Sequence, residues 1–127
     1  MATFRRFEEI EAWQNGRELV KRVYQLASCG EFAKDWGLRD QIQRAAVSIC
    51  SNIAEGFGRR GNKEFVNFLW IAKGSAAEVM SQLYHARDFG YLGSEDFNDL
   101  YQRAETVATE IYYLIKYLTN NLNQTKL

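Results

Sequence analysis

The sequence contains no proline, and it has only two cysteines and one histidine among its 127 residues. The absence of proline leaves helices uninterrupted, because proline is the residue that most strongly breaks them. Cys29 and Cys50 lack the CxxC spacing of a zinc site, and one histidine is too few for a common metal centre or a catalytic triad. We therefore expect reduced thiols, no bound metal and no cofactor.

A net charge is also missing, since 16 basic residues balance 16 acidic ones. Nothing global attracts the chain to nucleic acid, an anionic membrane or an acidic substrate, so any such attraction must be local. The N-terminal stretch has no apolar signal-peptide core, and no run approaches the roughly 18 apolar residues of a membrane span. We expect a cytoplasmic protein without membrane association.

Apolar residues make up 46% of the chain and aromatic residues 14%, which is enough for a packed core. Their helical spacing predicts four helices, near residues 7–29, 37–56, 62–89 and 94–122, and no strand. The loops between them are too short for crossover connections. The predicted fold class is therefore all-α, an antiparallel up-down-up-down four-helix bundle in which residues 1–127 form a single domain.

The second predicted helix has the most regular apolar stripe, spanning about 80° of the helical wheel. We expect Asp35 or Gly37 to begin it and Gly56 with Gly58 to end it, because glycine readily adopts the positive φ of a C-terminal cap. Gly16, inside the first helix, is interpreted as a point of close helix approach. The predicted core residues are Leu38, Ile42, Ile49, Ile53, Leu69, Val79, Leu83, Val107, Ile111 and Leu118.

Two expectations concern polar and aromatic residues near these helices. Asn52 lies beside the apolar stripe of the second helix, so its amide needs hydrogen-bond partners if it is buried. Phe32 and Trp36, in the connection over residues 30–37, are expected to anchor this segment against the bundle.

The third predicted helix is apolar over an arc of about 200°, whereas one core-facing helix needs only about 100°. Trp70, Met80 and Tyr84 lie beside its core stripe, and we expect them at an interface between copies of the chain. A ring of copies joins two different patches of the same protein. The candidate second patch is a face of small residues on the second helix: Val47, Cys50 and Ala54.

A small excess of positive charge lies between residues 38 and 63. Its members are Arg39, Arg44, Arg59, Arg60 and Lys63, against Asp40 and Glu55. Repeated around a ring, they would form a basic rim and are the candidate contacts to nucleic acid. Alternatively, Arg59 and Arg60 lie near the negative end of the second helix, and each stabilises the helix dipole by about 0.3–1 kcal/mol. The other arginines are then simply solvated. Both interpretations remain open here.

Residues 37–92 closely resemble a known family, most clearly in the stretches SICSNIAEGFGRR and NKEFVNFLW. First-helix positions fit the same pattern: Phe7, Trp13, Glu18, Leu19, Val20 and Tyr24. The chain thus resembles the bacterial four helix bundle proteins, also called the 23S rRNA intervening-sequence or S23 family. The resemblance implies an up-down bundle that assembles into a homopentamer, without an established biochemical function. It also implies proline where Cys50 stands, so a kink at this position is left open.

A more distant similarity is to the accessory variability protein of diversity-generating retroelements. That protein is a basic pentamer that engages nucleic acid and a reverse transcriptase. This chain departs from it in having no net charge.

No group of residues in the sequence has the spacing of a catalytic site. Gln82, not glutamate, precedes His85 by three positions, so the Glu-x-x-His pair of a di-iron bundle is missing. We expect a non-enzymatic, self-assembling structural or adaptor protein. The alternative is weak, sequence-tolerant binding of RNA or DNA, and a separate protein partner is compatible with either function.

Overall fold

The computed structural model describes residues 4–125, with the side chains of residues 4–120. Within this part of the chain the regular structure is helical, and no strand occurs. A 3-10 turn at Phe7–Glu9 precedes five helices. These are α1 (Glu11–Ala27), α2 (Gly30–Lys34), α3 (Trp36–Gly58), α4 (Asn62–Asp88) and α5 (Ser94–Thr125).

The helix α2 occupies the segment that the sequence predicts as a plain connection. Phe32 on α2 is 1% exposed and anchors it to the core, as expected. Trp36 is 70% exposed, so the expectation that it anchors the same segment is wrong. Asp35 begins α3 as predicted, because its Oδ1 accepts a hydrogen bond from the Leu38 N–H at 3.1 Å. Its Oδ2 accepts another from the Tyr91 hydroxyl at 2.9 Å, which ties α3 to the segment after α4.

The end of α3 differs from the prediction. Gly56 is buried inside the helix, which continues to Gly58, and the residue with positive φ is Arg60, at 68°. A Cβ atom on Gly56 would lie 2.5 Å from the Cβ of Phe68 on α4. The glycine therefore permits close packing of α3 on α4 and does not end the helix.

Gly16 permits a second close approach, as predicted. A Cβ atom there would lie 2.9 Å from the Sγ of Cys50, so α1 passes directly over α3. The Cys50 thiol donates to the Trp13 carbonyl oxygen at 3.7 Å, and burial raises its pKa to about 11, although Arg17 opposes the shift. Cys50 is thus a neutral packing residue in a helix that continues through its position.

One continuous core joins α1, α3, α4 and α5. Leu38 is half-buried against this core, and the other predicted core residues are buried as expected: Ile42, Ile49, Ile53, Leu69, Val79, Leu83, Val107, Ile111 and Leu118. Both α3 and α5 contact α1 and α4. The core therefore accounts for the apolar stripe that the sequence assigns to each long helix.

A partly buried cluster of polar side chains lies where α3 crosses α4. The Oγ atoms of Ser48 and Ser75 are 3.0 Å apart, and the Asn52 amide donates to the Ser48 carbonyl oxygen at 2.8 Å and to its Oγ at 3.0 Å. Asn52 therefore finds its partners within the chain, as the sequence predicts. Because Ser48 meets Ser75 while Gly56 meets Phe68, α3 and α4 run in opposite directions.

The contact between α1 and α5 is polar at its edge. Asn15 donates to both carboxylate oxygens of Glu110 at 2.9 Å, and Arg22 contacts Asp96 and Asp99 at 3.1 Å. Burial, together with the neighbouring Glu11 carboxylate, raises the pKa of Glu110 above its usual value, although the Asn15 bond opposes this. The native protein therefore holds the Glu110 proton more tightly than the unfolded chain does.

Replacing Gly56 by alanine should lower the free energy of unfolding by about 1–3 kcal/mol, because the added methyl group forces α3 away from Phe68. Urea unfolding measures this change. Gly58→Ala is the matched control, because no atom lies within 4 Å of a Cβ added there. An equal loss of stability in both variants would contradict the packing role of Gly56.

Glu110→Gln should become progressively more stable, relative to the parent, as the pH rises from 4 to 7. A raised native pKa means that ionising Glu110 costs stability at neutral pH, and this cost vanishes when the carboxyl is protonated. Urea unfolding at a series of pH values measures the difference. A difference that stays flat across the pH series would contradict the assignment.

Candidate functional site

One side of α4 remains exposed, and we call it the α4 outer face. Its apolar members are Trp70, Ile71, Gly74, Ala77 and Tyr84, and the exposed polar residues on the same side are Asn67, Glu78 and Ser81. Trp70 is 50% exposed and Ile71 is 53% exposed, whereas the glycine and the alanine leave a shallow centre between the bulky ends. Glu78 is the one exposed charged side chain between residues 65 and 84. The face therefore carries one exposed charge, and its bulky members are apolar or aromatic.

Two of the three predicted interface residues on α4 belong to this face, Trp70 and Tyr84. Met80 is half-buried against the core and lies at the margin of the α4 outer face. Ile71 belongs to the same face and was not predicted. Ile71 precedes Gly74 by three positions and Glu78 by seven, so helical spacing places it on the same exposed side as these two residues.

Tyr84 is held in a fixed orientation. Its ring lies 5.1 Å from the Phe97 ring and 5.6 Å from the Tyr101 ring, and the Arg87 guanidinium lies 5.1 Å from its centre. Part of the ring nevertheless faces solvent. A fixed aromatic ring loses little conformational freedom when a partner covers it, so Tyr84 suits a binding surface.

The predicted small-residue face on α3 is largely covered. Val47 is exposed, Ala54 is half-buried, and Cys50 lies beneath α1 at Gly16. Val47 is thus the most accessible member of the second patch.

The five basic residues predicted as one rim do not lie together. Residues 39 and 59 are about 30 Å apart along α3, at 1.5 Å per residue. Arg39 donates to the Ala33 carbonyl oxygen at 3.0 Å and lies 3.6 Å from the Asp40 carboxylate. It therefore connects α3 to α2, and a single basic patch including it is excluded by the helix length.

Arg59 is also engaged within the chain. It lies 2.9 Å from the Glu55 carboxylate and 3.8 Å from that of Glu64, and its guanidinium lies 5.0 Å from the centre of the Phe68 ring. These contacts give Arg59 a structural role at the turn between α3 and α4, through neighbouring carboxylates and an aromatic ring as well as the helix end that the sequence indicates.

The other three basic residues are exposed, and they form no ion pair with any residue in the described part of the chain: Arg44, Arg60 and Lys63. Arg60 shares an open pocket of about 450 Å³ with Arg5, Phe57 and Gly58. Arg5 was not predicted, because only the tertiary fold brings the N-terminal segment to the α3–α4 turn.

Two further properties limit the chemistry of the described residues. They contain no group of three or more histidine, cysteine, aspartate or glutamate side chains placed to hold a metal ion. None of the helices in this part of the chain is long and apolar enough to cross a membrane.

The family model for the 23S rRNA-intervening sequence protein matches residues 8–121. This chain belongs to that family. Among solved structures, it is similar to a protein of unknown function from the S23 ribosomal protein family of Bacteroides thetaiotaomicron. The two are 22% identical over 83% of this chain and 98% of the other, with a TM-score of 0.75. Comparison with curated proteins finds no match.

Membership of the 23S rRNA-intervening sequence protein family confirms the resemblance inferred from the SICSNIAEGFGRR stretch. At 22% identity, the Bacteroides structure supports the helical fold alone. Function must therefore be argued from the surfaces of this chain.

Proposed function

We propose that this protein is a non-enzymatic homo-oligomer, with a pentamer as the expected state, that acts as a structural or adaptor module. The observation that carries the proposal is the exposed apolar α4 outer face. Solvent-exposed apolar residues are ordinary when scattered, but a strip that groups tryptophan, isoleucine and tyrosine on one helix side, with Glu78 as its one exposed charge, is typical of an interaction site.

The proposal includes the arrangement of the helices as an antiparallel up-down-up-down bundle. Opposed directions for α3 and α4 follow from the Ser48–Ser75 and Gly56–Phe68 contacts. Opposed directions for α1 and α5 follow from the Asn15–Glu110 and Arg22–Asp96 contacts. In such a bundle α4 has neighbours on two sides only, so its outer face stays available to another molecule.

A second copy of the chain is the occupant best supported by the shape of the α4 outer face. Gly74 and Ala77 are small, so a helix of another copy can approach closely there. Trp70 and Tyr84 lie on either side of them and provide apolar surface for the partner to bury. A closed ring needs a different patch on the neighbour, and exposed Val47 on α3 offers one. The number five comes from the family resemblance.

Ala77→Glu should dissociate the oligomer without unfolding the chain. The substitution places a charge at the centre of the apolar strip, where a partner would have to bury it, but the site is exposed in the single chain. Light scattering coupled to size-exclusion chromatography measures the mass, and circular dichroism measures helix content. Thr109→Glu adds the same charge on the exposed side of α5 and should leave the mass unchanged; an unchanged mass for Ala77→Glu as well would reject this interface.

Weak binding of RNA or DNA is the second candidate function, favoured by the absence of ion pairs to Arg44, Arg60 and Lys63 within the described residues. An assembly repeats these charges, so several weak phosphate contacts add up. Because the chain has no net charge, we expect binding that is visible at low salt and mostly lost at physiological salt.

The double variant Arg60→Glu, Lys63→Glu should abolish this binding, whereas Arg59→Gln should have little effect because Arg59 is already ion-paired. Gel-shift titrations with a single-stranded oligonucleotide at 50 and 200 mM salt measure both effects. Tight binding that persists at 200 mM salt in the double variant would eliminate this candidate, and so would no binding by the parent at 50 mM.

A further inference from the structure

We propose that Arg5 and Arg60 form a binding pocket for a phosphate group at the α3–α4 turn. The pocket has a volume of about 450 Å³ and is lined by Arg5, Phe57, Gly58 and Arg60. This volume lies within the range of small-molecule sites in proteins. All four residues belong to one chain, so the pocket does not depend on self-assembly.

The two arginines in the pocket differ from their sequence neighbours. Arg6 pairs with Glu8 at 3.0 Å and Arg59 pairs with Glu55 at 2.9 Å, whereas Arg5 and Arg60 have no ion pair within the described residues. The Glu9 carboxylate lies nearby, but it accepts the backbone N–H of Arg5 at 3.0 Å. Both guanidinium groups thus keep their N–H donors, which suit the oxygens of a phosphate.

The fold positions both side chains. Phe4 and Phe7 pack against the core on either side of Arg5 and fix the path of the N-terminal segment. Arg60 has a φ of 68°, a conformation that is unfavourable for residues other than glycine, and its N–H donates to the Phe57 carbonyl oxygen at 3.3 Å. An arginine at a position that favours glycine is consistent with a function for its guanidinium group.

The end of α3 opposes anion binding, but only in part. A helix C-terminus carries about half a negative charge, from carbonyl groups without partners. The carbonyls of Gly56 and Phe57 accept the N–H groups of Arg59 and Arg60, each at 3.3 Å. Two full guanidinium charges exceed the sum of this partial charge and the Glu9 carboxylate charge, and none of the lining residues is acidic. The pocket therefore attracts an anion.

Equilibrium dialysis of the full chain with radiolabelled inorganic phosphate, at constant ionic strength, tests the pocket. The parent should bind phosphate saturably. The affinity of Arg60→Gly and of Arg5→Gln should each be lower by a factor of about ten or more, because each variant lacks a charge-assisted hydrogen-bond donor. Arg60→Gly also accepts the positive φ, so the turn is preserved. Arg44→Gln, which removes a distant exposed arginine, should bind like the parent.

No saturable binding by the parent would overturn the proposal, and so would parent-like binding by both pocket variants. Competition with matched oligonucleotides identifies the source of the phosphate. Stronger competition by the 5′-phosphorylated form indicates a terminal phosphate, and equal competition by the 5′-hydroxyl form indicates backbone phosphates; both support the pocket. Arg60→Gly should keep the oligomeric mass of the parent, which separates this test from that of assembly.

Discussion

The close approach of α3 to α4 is the constraint on which both candidate surfaces depend. Gly56 allows α4 to pass against α3 at Phe68, and the contact between the Ser48 and Ser75 hydroxyls fixes the register of the pair further along. This register turns Leu69 and Val79 of α4 inward, and the opposite side of the helix is left exposed as the α4 outer face. It also shapes the turn that carries Arg60.

The α4 outer face and the Arg5–Arg60 pocket differ in chemistry and divide the proposed properties between them. The face is apolar along the side of a helix and suits permanent contact with another copy. The pocket is basic and open, and it suits a small charged group. Assembly would repeat the pocket once per chain, so individually weak sites would bind a multivalent ligand more strongly than any one of them.

The sequence predicts the parts of this structure that depend on local periodicity and caps. The core stripe of α3, the close approach at Gly16 and the Asp35 cap all follow from spacing and residue type. Long-range packing decides the rest: Gly56 lies within α3 where Phe68 approaches closely, and the tertiary fold places Arg5 and Arg60 in one pocket. The separation of Arg39 from Arg59 could have been calculated from the helix rise alone.

Sedimentation velocity of the unmodified chain, over a range of micromolar concentrations, tests the central claim that the α4 outer face is covered by another copy. The proposal predicts one species whose mass is several times that of a single chain, with five chains expected. A monomer at every concentration would contradict it, because the apolar face would then remain in water.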